Sequence, residues 1–119
     1  MNENPSQLAA DYIRRWQTLW NDNDDVSALY TSDSVLVGFR IAIGRTDIAA
    51  LLQSIRDQGW TGITIKVVHA RLVSGAVLVA CDYTAIGSGG NAGQTRDGKS
   101  SHVLTKIDDR WLSAMHTTN

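Results

Sequence analysis

Apolar positions recur in this chain with two different periods, and the switch between them divides it. From Leu8 onward Ala9, Tyr12, Ile13, Trp16, Leu19 and Trp20 follow at spacings of three and four, the stripe of one helix face. Asp11, Arg14, Arg15 and Gln17 fall mostly on the other side. Ser6, after the only proline, can cap the start. Asn21-Asp22-Asn23-Asp24 ends the helix, because short polar side chains compete for backbone hydrogen bonds. Asp24 or Asp25 then caps a short second helix through Val26, Leu29 and Tyr30, broken at Thr31-Ser32-Asp33. Residues 34–38 read as a strand with Val35 and Val37 on one face, and residues 40–44 as another short strand. Thr46 or Asp47 can cap a third helix with Ile48, Leu51, Leu52 and Ile55 on its apolar face, stopped at Gly59.

From Trp60 the period drops to two and β-branched residues dominate. Residues 63–73 and 76–86 are two long strands about a Ser74-Gly75 turn. Residues 87–98 hold five of the ten glycines and read as a flexible connection, a hairpin tip or a mobile flap. Residues 100–119 are a closing hairpin turning at Asp108-Asp109. Helices first and antiparallel strands after make an α+β domain over residues 1–119. Its curved antiparallel sheet forms a cone, with three N-terminal helices packed over the concave face.

Composition removes several function classes. A net charge of -1 gives no electrostatic case for nucleic acid or an anionic membrane surface. No run of about 18 apolar residues could span a bilayer, and the N-terminus lacks the basic-then-apolar order of a signal peptide. The single cysteine, Cys81, has no partner for an internal disulfide, which fits the cytoplasm. His69, His102 and His116 are scattered without metal-ligand spacing, so neither a metal nor another cofactor is expected. The GSGGNAG run is followed by no G-K-[ST] and is not a phosphate loop.

Four fragments, in order, cover nearly the whole chain: WNDNDDVSALYTSDSVLV, IGRTDIAALL, GAVLVACDYTAIG and HVLTKIDDRWLSAMHTTN. Together they resemble the nuclear transport factor 2-like superfamily in its SnoaL-like branch. The resemblance implies a cone-shaped sheet closed by helices, an internal apolar pocket and a homodimer. It does not fix a reaction, because relatives of this kind include isomerases, cyclases and dehydratases as well as pockets without chemistry. Carried over from ketosteroid isomerase, the base position falls on Gly38, the tyrosine position on Trp16 and the acid position on Ser101, so all three functional groups are missing.

Strict alternation along each strand then assigns the faces. The resemblance puts Val77, Val79, Cys81 and Tyr83 on the concave side with Lys66, Val68, Ala70 and Leu72. It places Ser101, Val103, Thr105 and Ile107 there too, with Leu112, Ala114 and His116. The outward set is Ile63, Ile65, Val67, His69 and Arg71, then His102, Leu104, Lys106, Trp111, Ser113 and Met115. A face this apolar, centred on Leu104, Trp111 and Met115, suits a homodimer.

His116 is the expected base, because histidine alone titrates near neutrality unperturbed. Tyr83 and Ser101 would be its hydrogen-bond partners. Tyr12, Trp16, Tyr30, Phe39, Lys66, Val79, Cys81, Val103 and Thr105 would contact a hydrophobic or aromatic polar ligand. Each has a plainer reading beside it: a terminal histidine bonded to backbone, core tyrosines with satisfied hydroxyls, a small buried thiol, a lysine reaching the rim. The function expected is a small-molecule pocket, with or without cofactor-independent proton transfer. The alternative is a non-catalytic binding or association module.

Overall fold

The computed structural model describes residues 4–119. Asn4 starts the first helix: its side chain accepts from the Gln7 backbone N–H at 3.1 Å. Pro5 sits in the first turn, where its missing N–H costs nothing. Helix α1 (Pro5–Asn21) buries Ala9, Tyr12, Ile13, Trp16 and Trp20, the stripe read from spacing. The expected second helix is only a 3-10 turn, Ser27–Leu29. Its N-cap is Val26, not an aspartate; Asp25, one residue earlier, accepts from the Ser27 N–H and hydroxyl, both at 2.9 Å. The turn stops because Tyr30 is already extended and opens β1 (Tyr30–Val37), with β2 (Ile41–Ile43) as its antiparallel neighbour. Helix α2 (Arg45–Asp57) packs Ile48, Leu51 and Leu52 inward. Two helices, not three, therefore cover the sheet.

Strands β3 (Trp60–Val73), β4 (Ala76–Gly87), β5 (Thr95–Ile107) and β6 (Arg110–Thr118) complete a six-stranded sheet in the order β2-β1-β6-β5-β4-β3. The sheet is mixed rather than wholly antiparallel, because β1 runs parallel to β6. Ser74-Gly75 and Asp108-Asp109 are the hairpin turns, and positive φ at all four residues gives the backbone twist tight hairpins need. Residues 88–94 form a short tied connection, not a mobile flap. Ser88 N–H bonds the Gly59 carbonyl at 2.9 Å and the Asn91 amide donates to the Gln58 carbonyl at 2.7 Å.

Two bulges decide which residues face inward, because one extra residue reverses the parity beyond it. On β3 the register against β4 slips between Val67 and His69, leaving Val68 exposed. Above the slip Leu72 and Ala70 pair with Val77 and Val79 as alternation requires. Below it Val67, Ile65 and Ile63 face inward opposite Cys81, Tyr83 and Ala85, while Lys66 lies outside beside Asp82. The second slip separates Val103↔Met115 from Leu104↔Ser113 and makes Ala114 the extra residue of β6. His102 and Leu104 consequently face the core, 4% and 0% exposed, while Ser101, Val103 and Thr105 lie on the outer face. Leu104 and Trp111 pack into the core, so they cannot serve an outer interface; Met115, 41% exposed, does face outward.

Two polar side chains of α1 lock it to the sheet, and one of α2 ties the two helices together. The Asn21 amide bonds both the N–H and the carbonyl of Ile63, at 2.8 and 3.0 Å, and Gln17 accepts from the Ile65 N–H at 2.8 Å. These bonds occupy backbone groups on β3, the strand whose free edge would otherwise invite another chain. Arg56 of α2 donates to the carbonyls of Trp20 and Asp24 at 3.0 and 2.8 Å, satisfying the end of α1.

Candidate functional site

A cavity of about 220 Å³ lies between the C-terminal half of α1, helix α2 and the concave sheet. Trp16 and Trp20 wall it from α1, Leu51, Leu52 and Ile55 from α2, and Ile63 and Ile65 from β3. The two indoles stack with centres 5.3 Å apart. Phe39, in the β1–β2 turn, is 66% exposed at the rim. There too the Arg96 guanidinium lies 4.7 Å from the centre of the Trp60 ring. Among the described residues no Asp or Glu side chain lines the cavity.

Two histidines from the closing hairpin reach the cavity together. His102 and His116 are cross-strand partners, and their rings stack at 3.9 Å between centres. Each Nδ1 is held by a hydroxyl. Tyr30 Oη is 2.8 Å from His116 Nδ1, and Ser113 Oγ is 2.9 Å from His102 Nδ1. The bonds continue outward from both hydroxyls. Trp16 Nε1 donates to Tyr30 Oη at 2.9 Å, and Ser113 Oγ donates to the Met115 carbonyl at 3.0 Å. Tyr12 Oη donates to the Leu29 carbonyl at 2.9 Å and also lies in hydrogen-bonding contact with Ser113, and its ring meets His102 edge-on. Among the described residues no protein group bonds either Nε2.

This burial suppresses charge. Desolvation holds His116 down to about 3 and lowers His102 well below the usual histidine value, with His116 beside it adding to the effect. The same cause raises Tyr30 and Tyr12. Both rings are therefore neutral near pH 7, and His116 is far too weakly basic there for the proton abstraction expected of it. Burial also pushes the Cys81 thiol up to about 11, which leaves no thiolate nucleophile.

Of the residues expected at a site, Trp16, Phe39, Tyr83 and His116 line the cavity. Tyr83 lies across Gly98, where a Cβ would come within 2.3 Å of the ring, so only glycine admits it. Tyr12, Tyr30, Val79 and Cys81 are buried in the core outside the cavity wall. Lys66, Ser101, Val103 and Thr105 sit on the outer face, displaced by the two bulges; Ser101 bonds its neighbour Thr117 there. Alternation missed His102, Ser113, Ile63 and Ile65 for the same reason.

No family profile matches the chain, and no curated protein sequence does. Solved structures do. An NTF-2 like protein of unknown function from Shewanella oneidensis superposes with a TM-score of 0.79 at 16% identity, over 95% of this chain and 97% of that one. A ketosteroid isomerase-like protein from Erwinia carotovora atroseptica gives 0.79 at 19% identity, over 99% and 96%. The fold is nuclear transport factor 2-like. A domain of unknown function with a cystatin-like fold from Nostoc punctiforme also gives 0.79, at 23% identity over 96% and 75% of the two chains. On this nuclear transport factor 2-like scaffold Gly38 and Trp16 do line the cavity. The third position carried over from ketosteroid isomerase, Ser101, lies outside, and its neighbour His102 takes the inward place. The described residues form no metal-binding cluster and no helix long and apolar enough to cross a membrane.

Proposed function

We propose that this chain binds a small, uncharged aromatic or hydrophobic molecule with one polar edge, and does not turn it over. The observation that carries this reading is the cavity: apolar walls, two stacked neutral histidines and no carboxylate. Its size limits the ligand. An apolar cavity of roughly 150 Å³ holds benzene, whereas drug-sized ligands occupy roughly 300 Å³ or more. At about 220 Å³ the space suits a single ring with a few substituent atoms. The competing reading, a cofactor-independent isomerase, cyclase or dehydratase, needs a base poised near neutrality, and neither histidine supports that role.

The outer sheet face supports a homodimer. Ile43, Val35, Met115, Val103 and Leu78 are successive cross-strand partners, forming one apolar row over five strands. At about 4.8 Å per strand the row runs about 19 Å, enough to centre an interface of roughly 800 Å² per partner. A second copy is the occupant that can offer the same row in return. The unpaired Cys81 supports a reducing, cytoplasmic setting.

Titration with toluene and phenol, followed by tryptophan fluorescence, tests the pocket, because Trp16, Trp20 and Trp60 line it. Saturable quenching in the wild type that is lost in Ile65→Phe is the expected outcome. No change up to the solubility limit of either probe would refute the proposal.

A further inference from the structure

The hydrogen-bond network around the two histidines leaves each ring one arrangement of its proton. An indole N–H can only donate, so Trp16 Nε1 occupies a lone pair of Tyr30 Oη. Tyr30 is fully buried, and the one acceptor the structure offers its own proton is His116 Nδ1, 2.8 Å away. Tyr12 does not compete, since its hydroxyl is bonded to the Leu29 carbonyl. With Nδ1 accepting, the ring proton of His116 stands on Nε2.

His102 is arranged the other way. Ser113 is fully buried and spends its single proton on the Met115 carbonyl at 3.0 Å. Its oxygen can then only accept, so the 2.9 Å contact is a donation from His102 Nδ1. The ring proton stands on Nδ1, and Nε2 keeps a lone pair.

We infer that His102 and His116 are held in opposite tautomers, so that the cavity presents an acceptor beside a donor. It therefore selects ligands whose polar edge carries a donor next to an acceptor, as a lactam, a cis-amide or a hydroxy-ketone does. The inference rests on the pocket reading above and names the ligand class for that site. A lactam edge places its N–H toward His102 Nε2 and its carbonyl toward His116 Nε2. At the histidine edge a carboxylate finds only one donor, since the Arg96 guanidinium lies over Trp60 at the rim. A bare ether or ketone leaves His102 unpaired, which a buried polar site penalises.

The test pairs a spectrum with a three-probe titration. Long-range ¹H–¹⁵N spectra of histidine side chains should show His116 protonated on Nε2 and His102 on Nδ1 in the ligand-free wild type. Two matching tautomers overturn the inference. In the titration 2-pyridone, which has the donor–acceptor edge, should bind at least about ten-fold more tightly than N-methyl-2-pyridone, which has only the acceptor. His102→Phe should remove that ratio while keeping toluene affinity; a ratio that survives the substitution reflects size alone and overturns the inference. Toluene binding with equal affinity for both pyridones sinks the donor–acceptor inference and leaves the pocket reading standing. Failure of all three probes to bind sinks both.

Discussion

At the scale of single residues the buried histidines should govern acid stability. Unfolded histidine titrates near 6.5, whereas burial holds His116 at about 3 and lowers His102 as well. Below pH 6.5 the unfolded chain therefore binds more protons than the folded one, and stability falls as pH drops toward 3. At pH 5 the loss is about 2 kcal/mol for His116, and His102 adds to it in the same direction. Tyr12, Tyr30 and the other histidine are the titratable rings packed against the pair, and none of them supplies a negative charge near neutrality. Urea denaturation at about pH 7.5 and about pH 5 should show a marked loss that His116→Phe reduces; an unchanged pH slope in that variant contradicts the assignment. Tyr30→Phe should cost about 2–5 kcal/mol, since it strips partners from both Trp16 Nε1 and His116 Nδ1 in a dry site. A loss under about 0.5 kcal/mol would mean the relay is not intact.

At the scale of elements, what the sequence shows and what it hides follow one rule. Period and turn chemistry revealed that each strand, both helices and both hairpin turns exist, because those depend on neighbours along the chain. They lengthened a 3-10 turn into a helix and left residues 30–33 and 95–98 out of β1 and β5. Arg45, the first residue of α2, ties the helix start to β1 by donating to the Tyr30 carbonyl at 2.8 Å. Asn21 of the W-N motif clamps β3 rather than merely ending α1. The faces were legible only as far as the first bulge on each strand pair. About a turn at residues 108–109 strict pairing sets His102 opposite Met115; the extra residue Ala114 moves it to His116 and turns it inward. A bulge answers to packing across the sheet, which spacing along one strand does not encode. The paired substitutions Leu104→Glu and Val103→Glu test the corrected faces. Leu104→Glu should destabilise the fold by more than about 4 kcal/mol, because it buries an unpaired carboxylate. Val103→Glu should leave the monomer folded, and a larger loss for Val103→Glu than for Leu104→Glu would restore the uncorrected parity.

At the scale of the molecule, on the reading proposed above, the two faces of one sheet serve two different ends. The outer row centred on Met115 supports self-association, so Met115→Glu should give folded monomers by sedimentation velocity. A stable dimer in that variant would place the interface elsewhere. The inner face is the central claim: an apolar pocket with a neutral donor–acceptor pair for a single-ring ligand. Methyl NMR of Leu51, Leu52, Ile55, Ile63 and Ile65 during a 2-pyridone titration tests it most directly, since these side chains wall the cavity. The account predicts saturable shifts at those methyls and at the His102 and His116 side chains, absent in Ile65→Phe. Shifts confined to other surfaces, or none up to millimolar probe, would contradict it.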